Sequence, residues 1–148
     1  SMHCLILIHL LCLKMIRTYP MSLMKLAEHL ILLEERQLIN SNLSTIMLRI
    51  EKHLIDYWKV DVTTKQMEME LLHLAMALGR INRGYAAQPL HKDIMEEIKS
   101  AVYFPKILEI HRDILTLIPF SIPESEQTHL IANWYSLTIA QPWVLKQD

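Results

Sequence analysis

The chain has 148 residues, enough for one domain with a real hydrophobic core. With 51% hydrophobic and 21% charged residues it is globular rather than disordered. Its net charge of −1, with an isoelectric point near 6.7, comes without any Lys/Arg stripe interleaved with aromatics. That speaks against direct nucleic-acid contact. Glycine occurs only at 79 and 84, strand-like alternation is nearly absent, and long Leu/Met/Ile/Glu/Lys segments dominate. The expected fold is all-α.

The opening Ser1-Met2 reads as a cloning remnant, with the native start elsewhere. A first helix is expected over 3–17, ending at Tyr19-Pro20, where proline forbids continuation. Its apolar run from Cys4 to Ile16 is interrupted by His9 and Lys14. At about 13 residues the run is too short to span a bilayer. It lacks the basic flank and small-residue cleavage site of a signal peptide, so a buried or partner-covered helix is the reading. Cys4 and Cys12 fall about 12 Å apart along that helix, too far for a mutual disulfide. A reducing, cytoplasmic setting follows. His3, Cys4, His9 and Cys12 match no common zinc spacing, and no metal or other cofactor is expected.

A second helix is expected over 22–38, with Ser22 as cap and Asn40-Ser-Asn42 closing it. Residues 1–40 thus form an N-terminal helical extension, set apart from a helical domain over 41–142. The third helix covers 44–58, with Ile46, Ile50 and Leu54 on one face. Asp61-Val-Thr63 links it to the next, for which Thr63 and Gln66 fit a capping box. Gly84 fits the left-handed position just past that helix's end. A loop holding Gln88-Pro89 precedes a short helix over 91–99 and a longer one over 103–118, bent near Pro105. After a turn over 119–123, Ser121 and Glu124 suggest a second capping box for a last helix over 124–140, which stops before Pro142.

The chemistry concentrates on the helix around His73. Arg80 lies seven residues on, which brings it to within roughly 20° of His73 on the helix surface. Met67, Leu71, Leu74, Leu78 and Ile81 form a separate apolar stripe, so the histidine is expected to point away from the core. A histidine beside a fixed cation is suited to accept a phosphoryl group, which arginine can hold through two hydrogen bonds. The plain alternatives are a packed helix histidine and a salt-bridging arginine. Glu70, one turn earlier, either orients the ring or sits on a solvated face.

His53, His91 and His111 lack motif support and read as solvent or core histidines, and His129 as a plain helix residue. Gly79 inside a helix costs about 1 kcal/mol relative to alanine and suggests close approach of another helix or subunit. Met67, Met69 and Met76, like Trp58, Trp134 and Trp143, read as packing or interface residues. Catalysis is not expected. There is no Gly-rich phosphate loop, nucleophile elbow, HExxH or CxxC, and the pairs Glu34-Glu35 and Glu96-Glu97 diverge on a helix as surface charge.

His-x-x-x-Ala-x-x-Arg-Ile-x-x-Gly, present as His73, Ala77, Arg80, Ile81 and Gly84, resembles the second helix of the PTS regulation domain (PRD) of bacterial sugar-operon regulators. Ile110-His-Arg-Asp-Ile-Leu-Thr-Leu-Ile118, then Ser-Ile-Pro-Glu-Ser-Glu-Gln-Thr-His-Leu-Ile, is similar to the family's amphipathic helix, Ile-Pro-x-x-Glu turn and last helix. The resemblance covers roughly residues 43–140. It implies a five-helix bundle after the N-terminal extension, in which Leu5-Ile-Leu-Ile-His9-Leu-Leu is similar to the closing helix of a preceding PRD.

The resemblance further implies phosphorylation of His73, supported by Arg80, by a histidine phosphocarrier protein or sugar permease component. A homodimer is implied too, with no membrane contact. Aligning Ile122-Pro123-Glu124 and Glu126 puts Asn133 where the family often has its second phosphorylated histidine. Asparagine cannot take a phosphoryl group, so the second site is degenerate; His129, one turn earlier, is the alternative acceptor, though a plain helix residue is the simpler reading. Two rival readings stand beside this one. One is a dimerisation module that has lost phosphorylation. The other is an unrelated bundle that binds a partner helix or membrane through 3–17.

Overall fold

The computed structural model describes residues 25–148. The expectations for 3–17, for His3, Cys4, His9 and Cys12, and for the Ser22 cap lie outside the described residues.

The helix expected from 22 is described from Leu26, as α1 (Leu26–Glu35). Its end is set by two backbone bonds: Gln37 N–H donates to Glu34 C=O (2.9 Å) and Leu38 N–H to Leu33 C=O (2.9 Å). These are the two bonds of a Schellman cap, with Gln37 taking the left-handed φ of 60° that glycine usually supplies. Asn40 does not close α1. It caps α2 (Ser41–Asp56), its side chain accepting from Leu43 N–H at 2.9 Å.

α3 (Lys65–Asn82) is capped by Thr64, which accepts from Met67 N–H at 3.2 Å. Thr63 has a different task, since its N–H and hydroxyl both donate to Asp61 in the preceding turn. At the far end Gly84 stands at φ 90°, with its N–H on Ile81 C=O and Tyr85 N–H on Arg80 C=O. The expected glycine cap is therefore a full Schellman motif.

α4 (Lys92–Lys99) and α5 (Phe104–Leu115) follow, with Pro105 in the first turn of α5, where its missing N–H costs nothing. α6 (Glu124–Ala140) has the expected bounds, but Pro123 stands at its N-cap and no side chain caps it, so the Ser121–Glu124 box does not form. A short 3₁₀ turn (Pro142–Lys146) ends the described chain. The fold is all-helical, with six α-helices among the described residues.

α3 and α6 form the centre. α3 is packed by α1, α2 and α6, and α6 by α3, α4 and α5. Every residue from Ala132 to Thr138 is buried, which accounts for the lack of a polar face on α6. Leu30 and Leu33 of α1 share one core with Ile50 and Leu54 of α2, Leu74 and Leu78 of α3, Ile107 and Ile110 of α5, and Leu137 of α6. Met67, Met69, Trp58 and Trp134 lie in this core as packing residues, whereas Trp143 is exposed and donates to Lys59 C=O at 2.8 Å.

Two polar ties fix α6. Gln141, buried at the helix end, reads the peptide of Asp61 with both ends of its amide: it accepts from Asp61 N–H (2.8 Å) and donates to Asp61 C=O (2.9 Å). Near the other end, His111 donates through Nε2 to Gln127 Oε1 (2.9 Å) and accepts from Trp134 at Nδ1 (3.3 Å). Gln127 in turn donates to Ile122 C=O (2.9 Å), so His111 is a satisfied core histidine that holds the Ile-Pro turn.

Gly79 is where α3 meets the α1–α2 linker. A Cβ there would run into Leu38 C=O and lie 3.0 Å from Ile39 Cγ2. Arg83, one turn on, donates to the same carbonyl. The close approach expected at this glycine is made by the backbone between two helices rather than by a helix or a second subunit.

Candidate functional site

His73 lies in the middle of α3, on the side packed by α6 rather than on an open face. The apolar stripe read from the sequence faces α1 and α2, and α6 covers much of what remained. His73 is accordingly half-buried. Its Nδ1 is buried without a hydrogen-bond partner, which leaves Nε2 as the nitrogen through which the ring could react. Burial pushes the imidazole pKa down to about 4; the charges of His129 and Arg80 act in the same direction, and that of Glu126 opposes. At neutral pH the ring is uncharged and its lone pair is available.

Arg80 does share this side of α3, but its guanidinium is already engaged. Nε donates to Glu126 Oε2 at 2.8 Å and a terminal nitrogen donates to Glu126 Oε1 at 2.9 Å, a two-pronged pairing. The arginine side chain is 30% exposed, its carboxylate partner 1%. Burial alone would raise the Glu126 pKa. The bonds from Arg80 and from Ala87 N–H (3.1 Å), with the charges of Arg80 and His129, instead hold it below its ordinary value. The Glu of the Ile-Pro-x-x-Glu turn is thus a buried anion, and sequence reasoning gave it no role. Only its place in the motif marked it.

Two further contacts join this cluster to the loop over 83–91. His129 Nε2 donates to Gln88 C=O at 2.6 Å, fixing the proton on that nitrogen, and Leu90 N–H donates to Thr128 Oγ1 at 2.8 Å. His129 is therefore more than a plain helix residue. Asn133, one turn further along α6, is buried. It supplies no nucleophile.

Glu70 is neither on a solvated face nor bonded to the buried Nδ1 of His73. It is 3% exposed; Oε1 accepts from Gln66 at 3.3 Å and Oε2 has no partner. Burial pushes its pKa up to about 8, against the bonds from Gln66 and Ser136, so it is mostly protonated at neutral pH.

Among the described residues, the other histidines serve the scaffold. His53 meets Asp113 at 2.6 Å, where Trp58 also donates (2.7 Å), and His91 caps α4 by accepting from Asp93 N–H (3.2 Å). His29, not singled out in the sequence, is buried against Glu68 at 2.9 Å.

No family model matches the chain, and no solved structure matches it. It is 46% identical over 106 residues to a protein of Haemophilus influenzae described only as "Uncharacterized protein", a match spanning 72% of this chain and 85% of that one. It is 26% identical over 109 residues to "Uncharacterized protein YhfY" of Escherichia coli, spanning 74% of this chain and 91% of the other. No helix among the described residues is long and apolar enough to cross a membrane.

Proposed function

The chain belongs to one family with the Haemophilus influenzae protein, and we propose that it is the phosphorylation-sensing domain of a cytoplasmic bacterial transcription regulator. In this reading His73 takes a phosphoryl group from a histidine phosphocarrier protein or a sugar permease component, and Arg80 supports it. The observation that carries the proposal is the state of His73. It is an uncharged imidazole with one nitrogen buried and the other left to react, on the same side of α3 as an arginine.

In the transfer, the donor's N–P bond breaks and its electron pair stays with the donor ring, while His73 Nε2 forms the new N–P bond. The proton shed from the His73 ring balances the one the donor imidazole regains. The gain of about 1.5 to 2 negative charges then alters packing around α6 and, in a homodimer, the interface that controls sugar-utilisation genes.

The test is intact-mass analysis after incubation with phosphoenolpyruvate, the general phosphotransferase enzyme and its phosphocarrier, with His73→Ala alongside. One acid-labile phosphoryl group, absent from the variant, is the expected result. An unmodified protein beside a working control domain refutes it.

A second reading is supported by Arg80 being bound to Glu126 and by asparagine at position 133. It takes the chain as a dimerisation module that has lost phosphorylation. A dimer by light scattering together with no phosphoryl uptake would select it.

A further inference from the structure

The contacts around Glu126 do more than neutralise a carboxylate. They fasten the α3–α4 loop onto the first turns of α6. Three bonds cross between them: Ala87 N–H to Glu126 Oε2, Leu90 N–H to Thr128 Oγ1, and His129 Nε2 to Gln88 C=O. The loop has little else to hold it. Tyr85 is 67% exposed, and only Ala87 and Leu90 of residues 84–90 are even partly buried. Glu126 is the hinge of the arrangement, because one of its oxygens takes both Arg80 and the loop N–H.

We propose that Arg80, Glu126 and residues 84–91 form a latch that is closed while Arg80 pairs with Glu126 and opens when an anion on His73 draws the arginine away. The inference rests on the reading of His73 as a phosphoacceptor. Charge drives the exchange. With Arg80 on Glu126 the local sum is zero, and the buried carboxylate is stable. A phosphoryl dianion on Nε2 competes for the guanidinium through the same two-pronged geometry and carries more charge. Glu126 is then left buried and anionic beside a second anion, with one backbone N–H for company. Turning outward relieves it, and the loop N–H of Ala87 goes with it. The loop is thereby assigned as the segment that reports the state of the site to a neighbouring chain or domain.

Hydrogen–deuterium exchange of the peptide covering 84–91 tests this in the full chain. Four forms are compared: wild type, phosphorylated wild type, Arg80→Gln and Glu126→Gln. Amides of Ala87 and Leu90 are expected to exchange about tenfold faster in the last three, the loss of roughly one net hydrogen bond, while α3 and α5 stay unchanged. Arg80→Lys keeps the charge but not the two-pronged pairing, and serves if Arg80→Gln does not fold. Unchanged loop exchange in the Arg80 and Glu126 variants overturns the latch, whatever happens at His73. Loop release in those variants but not in the phosphorylated protein overturns the coupling. A wild type that takes no phosphoryl group removes the phosphoacceptor reading, and the coupling to His73 falls with it. The two failures are told apart by the mass measurement, which reports phosphoryl uptake without reference to the loop.

Discussion

Replacing Glu70 with glutamine should make the protein more stable at alkaline pH, although the change removes a charged residue from the sequence and adds no contact. The folded chain binds a proton at Glu70 up to about pH 8, whereas an exposed glutamate releases it at 4.5. Between those values folding takes up a proton, so stability falls as pH rises, by about 1.4 kcal/mol per unit. From 4.5 to about 8 is roughly 3.5 units, or about 5 kcal/mol in all, a large part of the 5–15 kcal/mol typical of a whole domain. This contribution is fully present below pH 4.5 and lost above pH 8.

Glutamine has the same shape, keeps an oxygen for Gln66 to donate to, and cannot ionise. Urea denaturation followed by circular dichroism at half-unit steps from pH 5 to 8.5 would measure both proteins. Their curves should nearly meet at pH 5 and separate steadily to about 5 kcal/mol at the top, with other titrating groups cancelling in the difference. Parallel curves would refute the reasoning, since they would mean Glu70 reaches water or a cation when ionised.

Two other outcomes follow from the same packing. Gly79→Ala should destabilise by about 2 kcal/mol in chemical denaturation, because the obstructing atom is the backbone carbonyl of Leu38, which has no side-chain freedom to yield. Helix propensity alone predicts a gain of about 1 kcal/mol, so the sign decides. The imidazole of His73 should titrate with a midpoint near 4 by proton NMR. Being depressed, it contributes stability above pH 6.5 that is lost as pH falls through 4; a midpoint near 6.5 would place the ring in open water.

The elements that could be read in advance are those written in local chemistry. The bounds of α6 and the left-handed Gly84 needed only a proline, a glycine and a run of helix formers. Caps were harder, because Thr63 and Thr64 are both plausible and a shift of one residue in backbone direction decides between them. The surroundings of His73 were hard to read for a different reason. Helical periodicity marks one apolar stripe, yet α3 is covered on three sides, so the face that looked polar and open around Glu70 and His73 is largely enclosed by α6. The link between Arg80 and Glu126 crosses 46 positions and leaves no local signature at either end. Only the motif kept Glu126 in view, and a motif names a position without naming its partner.

The amide of Gln141 works like a rung between two strands, though the protein has helices where strands would be. It pairs with the peptide of Asp61 across 80 positions, and Val144 is wholly enclosed in the core just beyond it. During synthesis all six described helices have therefore been made before the fastening between the end of α6 and the α2–α3 linker can close. Until about residue 144 clears the ribosome, the linker ahead of His73 lacks its partner. Assembly of the site is thus a late event in the life of each new chain.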